Sequence, residues 1–346
     1  MKQLIDISWQ VSEEEYRRDT ALSYSLLAKF EREGFSSLPH LFDKVETPSL
    51  TFGSAVDALI TGGEEEFNSK FKVITMPECP PAIQKASNML FEQYKESSIT
   101  KIDNDTILNV LNSIEYQKNW KDETRVKVFK EKADSYYTYL SISEGKTILS
   151  SDTYEDVDKA VCALRDFGSP SYKYFQVDSP YDSVKRYYQL KFKASFDNID
   201  YRCMADLLYV DYDNKVIIPV DLKTSGHYEW EFEKSFIQWM YFIQARLYWR
   251  IIRAAMDKDD YFKDFTLEDY RFIVINRYSV KPLVWRFPYT TYYGTLTDSK
   301  GNLYRDPFEI GKELSYYLTH NSVLPELRLG IEETIINEIK PYEIKN

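Results

Sequence analysis

A mixed α/β fold is predicted for this chain of 346 residues, and three observations predict it. Helical patterns fill the N-terminal half. A meander of alternating strands follows over residues 184–224. A long apolar helix and a further pair of strands come after it. That order is expected of a central sheet covered by helices, with a helical N-terminal elaboration.

The elements justify this in turn. Residues 22–34 read as a helix, because Leu26, Leu27 and Phe30 share one face and Gly34 supplies a stop. Residues 52–61 are a second helical pattern, ended by Gly62 and Gly63, and Pro77, Pro80 and Pro81 break the chain after it. Residues 82–167 are mostly helical and polar. The last helix there carries Val157, Val161 and Leu164 on one face, with Asp152 and Glu155 at capping-box spacing. From Val184 to Val210 the period becomes two, with a turn near Asp197 and Asn198, which predicts a hairpin. A second turn at residues 211–214 leads to a third strand over 216–224. Pro219 fits a central strand poorly, because it lacks the ladder N–H. Residues 232–255 are apolar nearly all round and predict one long buried helix. Strands over 270–278 and 283–287 and a helix over 308–318 complete the reading.

Composition narrows the chemistry. With 44 Lys and Arg against 55 Asp and Glu, the net charge is −11, and 43% of residues are hydrophobic and 29% charged. These values suit a soluble globular protein and exclude a disordered chain. No run approaches the roughly 18–20 apolar residues of a membrane span. The first fifteen residues lack the apolar core of a signal peptide, so a cytoplasmic protein without membrane contact is expected. Three cysteines (Cys79, Cys162, Cys203) and three histidines (His40, His227, His320) are scattered, which argues against a zinc centre or an iron–sulfur cluster. A bound metal must then take oxygen ligands, as magnesium, manganese or calcium do. The acidic balance disfavours nonspecific nucleic-acid binding by net charge and leaves such binding to local patches.

The most informative segment is the strand containing Val220-Asp221-Leu222-Lys223. Alternation puts Asp221 and Lys223 on one face. Asp206, on the preceding strand, reaches the same end of the sheet if the two strands pair across the turn at 211–214. Two carboxylates and a lysine are what a magnesium-dependent phosphodiester hydrolase needs: the acids hold a hard cation, and the lysine assists a water or neutralises developing charge. The ordinary alternative for Asp-x-Lys alone is a salt-bridged strand end.

The order of parts adds to this. Arg202-Cys-Met-Ala-Asp206, then Val220-Asp-Leu-Lys-Thr224, then Gln244-Ala-Arg-Leu-Tyr248 resembles the PD-(D/E)XK nuclease superfamily, in particular its RecB-like branch. Within that branch the sequence is most similar to the RecE-type, exonuclease VIII-like enzymes of phages and prophages. The segments at 22–27, 52–59 and 148–167 agree with it, so the likeness covers about residues 20–320. The resemblance implies a restriction-endonuclease-like core, with a mixed sheet flanked by helices. It implies three parts in one compact domain: 1–81, helical and contributing to the core; 82–168, a helical insertion; and 169–346, the catalytic core.

It further implies that Asp206 and Asp221, with the carbonyl of Leu222, are metal ligands and that Lys223 is the catalytic lysine. Gln244 and Tyr248 would orient the DNA backbone or Lys223, and their i, i+4 spacing puts both on one helix face. Two positions depart from the pattern. Asp57 stands where the branch usually has a histidine ligand, and a carboxylate there suits magnesium. Gln189 stands near a position where many relatives carry glutamate. Lys185, Arg186, Lys191, Lys193 and Arg202 form the densest basic stretch and are candidates for DNA phosphate contacts.

The implied activity is a Mg²⁺-dependent exonuclease on linear duplex DNA, with Mn²⁺ able to substitute. It would act in phage-type recombination in a bacterial cell, feeding a single-strand annealing partner, as a homo-oligomer. An endonuclease or a single-strand or flap nuclease on the same site remains open, as does an inert DNA-binding protein that has kept the fold.

Overall fold

The computed structural model describes residues 2–43, 47–178, 182–288, 291–298 and 300–320. The chain divides into two compact units, one of Met1–Ser49 with Cys162–Asn346 and one of Leu50–Val161.

The first unit is built on a mixed sheet. Strands β1 (Val184–Phe196) and β2 (Ile199–Asp211) form the long hairpin, paired from Val184 opposite Asp211 to Phe196 opposite Ile199. Asp197 and Asn198 both have positive φ, 51° and 60°, as a tight two-residue hairpin turn requires. Strand β3 (Val216–Ser225) runs antiparallel to β2. Strand β4 (Tyr270–Asn276) is parallel to β3, and β5 (Leu283–Phe287) is antiparallel to β4. The order is β1-β2-β3-β4-β5, with the short strand Thr266–Leu267 also paired in parallel to β3.

Pro219 lies inside β3 at a place that tolerates it. The short strand reaches β3 only as far as Ile217, and β4 begins its pairing at Val220. The missing N–H therefore falls in the gap between two ladders on that edge.

Helix α1 (Tyr24–Glu33) buries Leu26, Leu27 and Phe30 and ends at Gly34, whose φ of +63° needs a residue without Cβ. The crossover from β3 to its parallel neighbour β4 holds two helices, where the sequence predicts one. They are α2 (Phe232–Gln238) and α3 (Tyr241–Asp257). The break falls at Met240, whose φ is +54°. Its reason is packing: the turn lets Phe232 stack on Tyr241 and meet Phe272 of β4, with ring centroids 5.8 and 5.5 Å apart. Helix α4 (Pro307–His320) lies close enough to β2 that a Cβ on Gly311 would stand 2.2 Å from the Tyr201 hydroxyl. The core of the unit joins the inner faces of β1, β2 and β4 to α1, α3 and α4.

The second unit is mainly helical, as the pattern over 82–167 predicts. Helices Pro81–Tyr94, Asn104–Ser113 and Asp122–Ser143 pack through Ile83, Leu90, Ile107, Leu111, Phe129 and Tyr137. A parallel pair, Phe71–Val73 with Thr147–Leu149, is too short for alternation to show in sequence. The helix Ser151–Leu164 is capped by Ser150, whose hydroxyl accepts from the Thr153 N–H at 3.2 Å, so the cap lies two residues before the Asp152 that spacing suggests. Among the described residues, no helix is long and apolar enough to cross a membrane.

Candidate active site

The site begins with strand register. The ladder between β2 and β3 ends at Leu207 opposite Val220, so one further step brings Asp206 opposite Asp221. Opposite residues of an antiparallel pair share a face. Lys223, two residues along β3, lies on that face as well. Asp206 is held by the main chain next to Asp221, since its Oδ2 accepts from the Leu222 N–H at 3.1 Å.

Helix α3 joins the group from above. Gln244 is buried, and its amide bridges the charges: Nε2 donates to Asp221 Oδ1, and Oε1 accepts from Lys223 Nζ at 2.9 Å. Lys223 Nζ also lies 2.7 Å from Asp221 Oδ2 and 4.4 Å from the centre of the Tyr241 ring. Asp221 has no exposed surface. Burial alone would lower the Lys223 pKa, but the negative charges of Asp221 and, less strongly, Asp206 outweigh it and hold the pKa above its ordinary value. With these carboxylates beside it, Lys223 is an ammonium.

Asp221 Oδ2 is buried and accepts no aligned hydrogen bond; what meets it is the Lys223 ammonium, 2.7 Å away. Asp206 and Asp221 are hard oxygen donors of the kind that magnesium and manganese take. Among the described residues, no three His, Cys, Asp or Glu side chains converge as a metal-holding group.

Tyr248 lies one turn beyond Gln244 and is buried; burial above all, with the Asp221 and Asp206 carboxylates among the lesser causes, pushes its pKa well up. Gln189 lies across the hairpin from Asp206. It has a φ of +54°, and the ladder skips the Gln189–Asp206 pair between Tyr188–Leu207 and Leu190–Ala205. A left-handed glutamine in mid-strand is strain of roughly 1–3 kcal/mol, stored next to a site carboxylate. Asp57 belongs to the second unit, where it is half-buried on the helix Pro48–Thr61 and its carbonyl accepts from the Thr61 hydroxyl.

No family model matches the chain, and no curated protein matches it. Among solved structures, a protein from Eubacterium rectale described as a "Putative exonuclease" is similar at 12% identity over 93% of this chain and 98% of its own, with a TM-score of 0.42. At that identity and score the likeness adds nothing to the geometry.

The five basic residues of the hairpin do not form one exposed strip. Arg186 is buried, with Nε donating to the Lys173 carbonyl at 2.9 Å and Nη1 paired to Asp178. Arg202 is buried, donates to the Tyr16 carbonyl and lies over the Tyr16 ring. Lys193 pairs with Asp19 at 2.9 Å and Asp200 at 3.5 Å. Lys185 and Lys191 are half-buried. A hollow of about 530 Å³ lies elsewhere on this unit, lined by Arg17, Arg18, Phe42 and Asn198 among others, and the five catalytic candidates are not in its wall.

Three tyrosines outside the sequence-derived set stand at the site. Tyr241 carries the Lys223 ammonium on its face and could have been found by its i−3 spacing from Gln244. Tyr24 hydrogen-bonds the Trp239 carbonyl at 2.7 Å; burial raises its pKa, and nearby Lys223 opposes that. The Tyr270 hydroxyl is buried without a partner, and after burial itself the charge of Asp221 is the largest influence on it. Neither Tyr24 nor Tyr270 carries a local sequence signal.

Proposed function

We propose that this chain is a metal-dependent deoxyribonuclease of PD-(D/E)XK type, an exonuclease that hydrolyses phosphodiester bonds of linear duplex DNA. The observation that carries the proposal is Asp206, bound by the Leu222 N–H, next to the buried Asp221, with Lys223 ion-paired to Asp221 and Gln244 bound to both. Asp206, Asp221 and the Leu222 carbonyl would hold Mg²⁺ or Mn²⁺. When bound, the ion supplies Lewis-acid stabilisation of phosphate oxygen charge and a water of lowered pKa.

The chain's own groups do the rest. Gln244 fixes the direction of Lys223 Nζ, and the ammonium stabilises negative charge that develops on the phosphate or its attacking oxygen. Tyr241 shields one side of that ammonium from water. The wider role is part of the same proposal: a RecE-type enzyme of phage-type recombination, acting as a homo-oligomer and passing single-stranded tails to an annealing protein.

Linear and closed circular duplex, each offered with Mg²⁺ and with EDTA to the wild type and to Lys223→Ala, test this directly. Mg²⁺-dependent loss of the linear form alone, absent in the variant, is expected. Cutting of the circle would replace the exonuclease by an endonuclease on the same site. No cleavage of either would remove the duplex exonuclease and leave a single-strand or flap nuclease, or an inert DNA-binding protein, in its place.

A further inference from the structure

Just past the site, the chain presents two aromatic rings to solvent. Strand β3 ends at Ser225, and Tyr228 and Trp230 follow. Their rings stack face to face, centroids 4.4 Å apart and planes within 7°, yet they remain 49% and 58% exposed. Tyr228 is five residues from Lys223, and a chain covers at most about 3.6 Å per residue. Its Cα therefore lies within roughly 18 Å of the Cα of Lys223.

The loop carrying the pair is fixed from beneath. Glu229, between the two rings, has no exposed surface. Its carboxylate accepts from the Asn276 N–H at 3.0 Å, the Lys281 N–H at 3.0 Å and the Ser279 hydroxyl at 2.6 and 2.7 Å. Its carbonyl accepts from Trp285 Nε1 at 3.1 Å. The Asn276 amide donates in turn to the Ser225 and His227 carbonyls, both at 3.0 Å.

The turn that Glu229 grips contains Val280 at a φ of +51°, which a β-branched residue adopts only where its surroundings impose it. It also carries Tyr278, 78% exposed. His227 and Lys281 are exposed on these two loops, and Glu231, next to Trp230, is ion-paired to Lys234.

Buried anchoring with exposed flat faces is the arrangement of a rigid stacking surface. Such rings lose little freedom on binding. Every nucleobase offers a π-face to stack on, whereas bases inside a duplex are already stacked on one another. We propose that Tyr228 and Trp230 form a platform for an unpaired base, so that the site takes DNA with a single-stranded or frayed terminus. This rests on the nuclease reading above and names its substrate class.

The test is fluorescence anisotropy in EDTA, with three probes: a single-stranded oligothymidylate, the same length of abasic strand, and a blunt duplex. Trp230→Ala and Tyr228→Ala are each expected to weaken oligothymidylate binding about tenfold. Trp230→Phe should stay near the wild type, and neither alanine variant should change the abasic strand. Unchanged oligothymidylate affinity in both alanine variants would overturn the platform. So would an equal loss on the abasic strand, which would mean backbone contact or a damaged loop. Mg²⁺-dependent cleavage by the wild type, run alongside, judges the nuclease reading separately: cleavage with unchanged affinities removes the platform alone.

Discussion

Two faces of helix α3 hold buried charge in opposite ways. One face carries Arg246 and Arg250, which clamp Asp306. Both oxygens of Asp306 are supplied: Oδ1 by Arg250 Nη1 at 3.0 Å and the Phe308 N–H at 2.9 Å, Oδ2 by Arg246 Nη2 at 2.9 Å and Arg250 Nη2 at 2.5 Å. Arg246 has no exposed surface and binds the Tyr292, Gly294 and Arg305 carbonyls as well. The other face carries Gln244, which reaches Asp221 and Lys223. There one carboxylate oxygen accepts no aligned hydrogen bond and meets only the Lys223 ammonium, 2.7 Å away. A buried carboxylate with every acceptor position used fastens a loop to a helix. A buried carboxylate whose second oxygen meets only a lysine keeps that oxygen for the proposed metal ion.

The comparison breaks first, and most strongly, on activity. Asp221→Ala or Lys223→Ala should slow cleavage by about 10²–10⁴-fold in single-turnover assays, the range typical of a lost acid–base or charge-stabilising group. Arg246→Ala should leave the rate per folded molecule within about threefold, because the arginine touches no group of the site. Its cost is in stability: removing one partner from a buried ion pair is worth about 3–5 kcal/mol, read from urea denaturation. A loss below 1 kcal/mol would mean that the clamp does not hold the loop.

Metal sharpens the contrast further. Mg²⁺ at 100 times its dissociation constant should stabilise the wild type by about 2.7 kcal/mol, and should stabilise Arg246→Met, but not Asp221→Ala. The smallest effect belongs to Gln244→Ala. It strips a donor from Asp221 and an acceptor from Lys223 and should cost about 1–3 kcal/mol, measured by the same denaturation.

Much of the first unit is legible in the sequence because its signals are local. Asp197 and Asn198 mark the hairpin turn, alternation fixes the face of Asp221 and Lys223, and the turn at 211–214 sets the register that brings Asp206 beside the Asp221–Leu222 stretch. Gln244 can be placed on the right helix face by spacing alone. What spacing does not carry is the identity of distant partners. Arg186 and Arg202 look like surface charges until Asp178 and the Tyr16 carbonyl are seen to hold them. The break at Met240 is equally hidden, because no glycine or proline announces it and only the packing of Phe232 on Phe272 explains it. Glu229 reads as one acid in a polar loop, and its burial depends on a turn about fifty residues away in sequence.

The proposed function stands or falls on Asp221 and Asp206 holding a divalent cation. Titration with Mn²⁺ followed by electron paramagnetic resonance tests it without any need for turnover, in the wild type, Asp206→Asn and Asp221→Asn. Saturable binding in the wild type, lost or greatly weakened in both variants, is the predicted result. Equal binding in all three proteins, or none in the wild type, would contradict it.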